Sequence, residues 1–160
     1  RIPVMEGEFL CEATTGSTTA AVGGGNLLLM GRTFDTALAA SEAAVAAMEK
    51  VPGAIMPFPG GIVRSGSKVG SKYKALIAST NDAYCPTLKG LAHSALDPDI
   101  GSVLEIVIDG LDTEAVAAAM KAGLHAACKL GPVKGPVRIG AGNYGGKLGQ
   151  FHYRLKDLLR

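Results

Sequence analysis

Glu105 sits in the hexapeptide Val-Leu-Glu-Ile-Val-Ile, a carboxyl set among β-branched and aliphatic side chains. Strand alternation places it on one face with Val103 and Val107, while Leu104, Ile106 and Ile108 take the other face, toward the helices. Aliphatic neighbours desolvate a carboxyl, raise its pKa and favour the neutral acid. A neutral acid can donate a hydrogen bond to developing oxygen charge, or a proton to a departing amine. From pattern alone, a glutamate on an open, hydrated sheet face is the stronger reading. A second chemical surface runs from Met56 to Pro86, with a Pro-Phe-Pro-Gly-Gly turn, two Ser-Lys steps and Ser-Thr-Asn-Asp-Ala-Tyr-Cys-Pro. Glycines there let backbone approach a ligand, prolines hold φ, and lysines and hydroxyls offer donors. Its apolar content argues against disorder and for a functional loop. Cys85 could be a nucleophile given a nearby histidine, and His93 is close in sequence, but no local signature pairs them. A loop-packing thiol is the commoner outcome for a free cysteine.

These residues need elements to hold them. Gly25 to Gly31 encloses the apolar run Leu-Leu-Leu-Met, a short buried strand. Thr33 can cap a helix whose stripe is Phe34, Leu38, Ser41, Val45 and Met48, ending before Pro52-Gly53. Ala54 to Phe58 reads as a second strand and Ser102 to Ile108 as a third. Asp112 caps an Ala-rich helix through about Lys129, with Val116, Ala119, Met120, Gly123 and Ala127 inward. Pro136 to Gly140 and Gln150 to Leu155 are expected as closing strands, and Ile2 to Glu12 as a further strand or a junction with another lobe. The order β-α-β, long loop, β-α-β is that of an α+β, ferredoxin-like split βαβ sandwich, an antiparallel sheet with two helices on one face. Gly23-Gly24-Gly25-Asn26 and Gly140-Ala141-Gly142-Asn143 fall at related places in its two halves.

Several string matches fail on context. Gly140-x-Gly142-x-x-Gly145 follows an expected strand, but no amphipathic helix opens after it to present a dipole to pyrophosphate. Gly146-Lys147 has Leu148 where a phosphate loop needs Ser or Thr. His93, His125 and His152 lack partners at metal-ligand spacing. With 160 residues, the chain has room for one core. A net charge of +2, scattered basic residues and no Trp leave no nucleic-acid footprint. Three cysteines without CxxC spacing suggest reduced thiols in the cytoplasm, and no apolar run reaches the ~20 residues that span a bilayer. The chain opens Arg-Ile-Pro-Val without a charged-then-apolar leader, as if cut from a longer polypeptide.

The segments PFPGGIVRSGSKVGSK, ASTNDAYCPT, IPVMEGEF, LEIVIDGL and GAGNYGGKLGQ resemble formylmethanofuran–tetrahydromethanopterin formyltransferases. The resemblance runs from Arg1 to Arg160, onto the C-terminal (distal) lobe of a two-lobed enzyme whose N-terminal lobe is absent from this chain. LKGLAHSALDPDIG (88–101) and Arg64 look closer to the methylotroph branch than to the archaeal one.

The resemblance implies transfer of a formyl group from formylmethanofuran to N5 of tetrahydromethanopterin through a tetrahedral oxyanion. Both carriers are substrates, and no prosthetic group or metal is implied. It also reverses the reading of Glu105, because the matching glutamate lies at that family's active site and is implied in catalysis. Such chemistry needs oxyanion donors, alignment and exclusion of water. Candidate donors and binding groups are Gly60, Gly61, Gly66, Ser65, Ser67, Ser71, Thr80, Asn81 and Tyr84. Lys68 and Lys72 could receive the carriers' carboxylates as point charges, whereas Lys74 and Lys89 read better as solvated surface charges. Implied partners are the N-terminal lobe or a complementary chain, further copies in a homo-oligomer, and other subunits of a formyltransferase/hydrolase complex. Two other classes remain: a non-catalytic half supplying assembly surface, and a small-molecule-binding regulatory domain.

Overall fold

The computed structural model describes residues 1–14, 16–17, 21–64, 66–69, 71, 73–142 and 150–160. Its centre is a four-stranded antiparallel sheet in the order β4-β7-β3-β8, built from β3 (Val22–Gly31), β4 (Ala54–Ile55), β7 (Ser102–Gly110) and β8 (Arg138–Gly140). Two small hairpins stand apart from it. One is β1 (Ile2–Val4) with β2 (Gly7–Phe9), the other β5 (Ser67–Val69) with β6 (Ala78–Thr80).

The helices α1 (Phe34–Met48) and α2 (Thr113–Lys129) pack on one face. Both begin where expected. Thr33 and Thr36 form a reciprocal capping box, and Asp112 accepts from the Ala115 amide at 2.7 Å. The inward face of α2 is the expected one, with Leu124 added to it. The stripe of α1 is shifted, because Ala37, Ala40 and Ala44 join Ser41, Val45 and Met48 in the interior, while Phe34 is exposed. Small side chains let the helix sit close to its neighbours, so the buried stripe follows the alanines rather than the bulkiest residues. The Ser41 hydroxyl, buried there, donates to the Ala37 carbonyl at 2.8 Å.

All four residues of the Leu27–Met30 run are buried, because the sheet is covered on both sides. Leu27 and Leu29 join Ile106, Ile108, Met120 and Met48 under the helices. Leu28 and Met30 point the other way and form a smaller core with Ile100, flanked by Tyr84, Leu96 and Val103. Cross-strand register sets this division: Leu29 lies opposite Leu104, and Leu28 opposite Glu105.

Other expectations need correction. The second strand stops at Ile55, and the segment Gln150 to Leu155 is not a strand. Residues 150–154 run irregularly into a short helix α4 (Leu155–Leu158), after the brief helix α3 (Gly131–Lys134). Tyr153, Leu155 and Leu158 pack on the helix-face core, so the apolar spacing serves a docked tail rather than a sheet edge. The N-terminal segment forms its own exposed hairpin, with Ile2, Val4, Met5, Phe9 and Leu10 all exposed. None of the described helices is long and apolar enough to cross a membrane.

Candidate functional site

The face of the sheet opposite the helices carries Asn26, Leu28 and Met30 from β3, with Val103, Glu105 and Val107 from β7 beside them. Described parts of the chain between Val63 and Gly101, among them Val63–Arg64, Gly66 and Asn81–Thr87, border this face and leave an open cleft of about 360 Å³ lined by Arg64, Gly66, Asn81, Tyr84 and Glu105, among others. Val63 fastens the cover: its amide donates to the Glu105 carbonyl at 2.7 Å, and its carbonyl accepts from the Glu105 amide at 2.9 Å. The backbone of Glu105 is therefore held between β3 and the loop.

Its side chain is half-buried. Burial pushes the Glu105 carboxyl above its ordinary value, and a hydrogen bond from Asn26 opposes that shift without cancelling it. Asn26 Nδ2 donates to Glu105 Oε1 at 2.8 Å. The second oxygen, Oε2, lies toward Gly66, 3.8 Å from where a Cβ on that glycine would stand. A carboxyl in this setting can hold a proton that a hydrated glutamate would release, and can deliver it into the cleft.

Asn81 and Tyr84 are brought to the cleft with Glu105. Asn81 is buried, its amide donates to the Gly66 carbonyl at 3.2 Å, and its carbonyl accepts from the Tyr84 amide at 3.1 Å. Ser67 and Thr80 are backbone partners in the register of β5 and β6, and Thr80 is exposed. The Ser71 hydroxyl accepts from the Tyr73 amide at 3.1 Å, a local turn. Ser65 and Lys72 lie outside the described residues, as does Gly145 of the rejected glycine string.

Gly60 and Gly61 do not line the cleft. Both have left-handed φ, +65° and +72°. The Gly61 amide donates to the Phe58 carbonyl at 2.7 Å, and a Cβ there would meet Val45 at 2.8 Å. They make the turn that seats the loop against α1. Lys68 is ion-paired with Asp82, and this bond holds the Asp82 carboxyl below its ordinary value. Cys85 lines the cleft, but its thiol donates to the Asn81 carbonyl at 3.3 Å, as a loop-packing residue would, and His93 is exposed. Lys89 is not a free surface charge: its ammonium donates to the carbonyls of Asp97, Pro98 and Ile100 at 2.9, 3.0 and 2.5 Å. The described residues contain no group of His, Cys, Asp and Glu able to hold a metal.

Two site residues escape sequence reasoning. Arg64 reaches the cleft with its guanidinium 5.6 Å from the Phe34 ring centroid, a cation–π contact that also explains an exposed aromatic at the start of α1. Asn26 is legible only as part of a Gly-Gly-Gly-Asn turn. Those glycines form a bulge in β3, where the Gly24 amide donates to Asp109 at 3.0 Å.

A helix-backed antiparallel sheet whose other face carries a half-buried acid under a polar loop defines a small α+β lobe with an acid-bearing cleft. The family described as "FTR, proximal lobe" matches residues 7–158, and the chain belongs to that family; the lobe called distal above is the one this description calls proximal. The formylmethanofuran–tetrahydromethanopterin formyltransferase of Methylobacillus flagellatus is 62% identical over 159 residues, which cover 99% of this chain and 52% of that protein. The crystal structure of the formyltransferase/hydrolase complex from Methylorubrum extorquens with methylofuran contains a chain 61% identical, with a TM-score of 0.86, covering 100% of this chain and 52% of that one. The formyltransferase structure from Methanosarcina barkeri is 48% identical with a TM-score of 0.82, covering 98% and 52%. The chain spans about half the length of the curated relatives it matches.

Proposed function

We propose that this chain is the C-terminal lobe of a formyltransferase that moves a formyl group between formylmethanofuran and N5 of tetrahydromethanopterin. Membership of the family and 62% identity to a formyltransferase support the reaction. The strand order β4-β7-β3-β8, with α1 and α2 on one face, supports a ferredoxin-like split βαβ lobe. The single observation that carries the chemistry is Glu105, a carboxyl pushed up by burial and opening on a cleft.

In this reading the N5 amine attacks the formyl carbon, and the carbonyl oxygen takes the electron pair as a tetrahedral oxyanion. The bond to the methanofuran nitrogen then breaks. That nitrogen takes the proton of neutral Glu105, and the carboxylate so formed recovers a proton from N5. Donors around Asn81 and Tyr84 face the same space as the acid. Arg64 suits the carboxylate tail of a carrier better than Lys68, whose charge is already matched by Asp82. The exposed apolar hairpin β1–β2 favours an added role as assembly surface toward the N-terminal lobe, another copy or another subunit. Free cysteines at 11, 85 and 128 agree with a cytoplasmic setting.

Glu105→Gln and Glu105→Ala in the complete enzyme test this. Maximal rate should fall about 10²-fold or more in both, with Michaelis constants little changed. A wild-type maximal rate in Glu105→Ala would remove Glu105 from the chemistry.

A further inference from the structure

Asn26 and Gly142 belong to the two related Gly-Asn turns of the sequence, and the structure brings them together although 116 residues separate them. The Gly142 amide donates to Asn26 Oδ1 at 2.5 Å, while Asn26 Nδ2 donates to Glu105 Oε1 at 2.8 Å. The Gly142 donor fixes which way the Asn26 amide points, since only its oxygen can accept from an N–H. The nitrogen end is thereby committed to Glu105. Close approach is also built in, because a Cβ at Gly142 would come within 2.0 Å of Asn26 Nδ2.

We propose that Asn26 is a positioning residue for the reaction, holding Glu105 Oε1 as an acceptor so that the transferable proton resides on Oε2, the oxygen on the Gly66 side of the cleft. An oxygen receiving an N–H cannot also present a proton along that line, so the neutral acid carries it on the other oxygen. The Gly140–Gly142 strand end becomes the clamp that aims the acid. The inference rests on the assignment of Glu105 as the acid, and it deepens that assignment.

The charged and titratable groups around Glu105 come from several elements. Arg64, Tyr84 and Cys85 line the cleft from the loop. Lys68 on β5 is paired with Asp82, two residues beyond β6, and Asp109 on β7 accepts from Gly24. None of these is altered by changing Asn26, so a moved Glu105 titration reports the lost amide.

The test uses the complete enzyme with carbon-13 labelled glutamate, isotope-edited infrared spectra across pH, and Glu105→Gln as the spectral blank. Asn26→Leu, which removes the donor, should move the carboxyl midpoint to higher pH and lower maximal rate about 10-fold or more, with Michaelis constants little changed. Gly142→Ala, which displaces Asn26 without altering its chemistry, should shift the midpoint the same way. An unchanged or lowered midpoint in a folded Asn26→Leu enzyme overturns the proposal, and so does an unchanged midpoint in Gly142→Ala should the first variant fail to fold. A wild-type maximal rate in Glu105→Gln would instead defeat the parent assignment, while the infrared midpoint would still report on the Asn26 contact.

Discussion

The two faces of the central sheet are held by different physics. Under the helices, Leu27, Leu29, Ile106, Ile108, Met48 and Met120 are sealed in a continuous apolar core. Over the other face, the buried apolar cluster among the described residues is the smaller set Leu28, Met30 and Ile100, and hydrogen bonds and ion pairs help to hold the covering chain. Lys89 gathers three carbonyls, Arg138 bonds the Ala95 carbonyl at 3.2 Å, and Arg32 pairs with Asp99 at 3.2 Å. An apolar core tolerates no polar vacancy, whereas a polar cover can leave a cleft and still satisfy its backbone. The larger apolar core lies on one face and the acid-bearing cleft on the other.

That contrast can be broken first on the helix face. Leu29→Ala removes a fully buried side chain and should cost about 3 kcal/mol of global stability, measured by urea unfolding. A loss under about 1 kcal/mol would mean that the helix-face core repacks freely, against the close packing expected of it.

The loop face should respond locally. Lys89→Met strips a charged donor from three carbonyls and should cost about 2 kcal/mol. Amide exchange should accelerate across residues 86–101 while α1 and α2 keep their protection. Uniform acceleration in both regions would show that the cover and the core unfold as one unit.

Glu105 sharpens the comparison through pH. Its folded-state pKa lies above the ordinary 4.5, with burial the larger cause. The folded protein therefore binds that proton more tightly than the unfolded chain does. The stabilisation is complete below pH 4.5 and is lost as pH rises through the folded-state midpoint. Wild type should thus fall behind Glu105→Gln in stability toward neutral pH, and the two should converge in acid. A gap that widens in acid would require the opposite shift.

The smallest effect belongs to the hairpin. Lys68→Ala breaks an exposed ion pair and should leave the thermal midpoint within measurement scatter at physiological salt. A clear loss of stability would mean that the β5–β6 hairpin supports the fold as well as the cleft.

The helices were legible because their signals are local. Thr33 and Asp112 stand immediately before the first helical residues, Phe34 and Thr113, and capping acts over three residues. The pattern of β7 was equally clear, with Leu104, Ile106 and Ile108 buried in alternation. The tail was misread as a strand because Phe151, Tyr153 and Leu155 alternate, and alternation does not reveal whether a sheet edge is available. Lys89 looked like any surface lysine, since the carbonyls that hold it lie 8 to 11 residues away in an irregular loop.

By itself, then, the sequence determined the periodic elements, their caps and the presence of an acid in an apolar strand. Each follows from neighbours within a turn or two of chain. Only tertiary structure decided that Asn26 would meet Glu105 across 79 residues and Gly142 across 116, because those meetings depend on how β3 pairs with β7 and β8. A shift of one residue in that pairing would turn the side chains to the opposite face and leave the acid without its clamp.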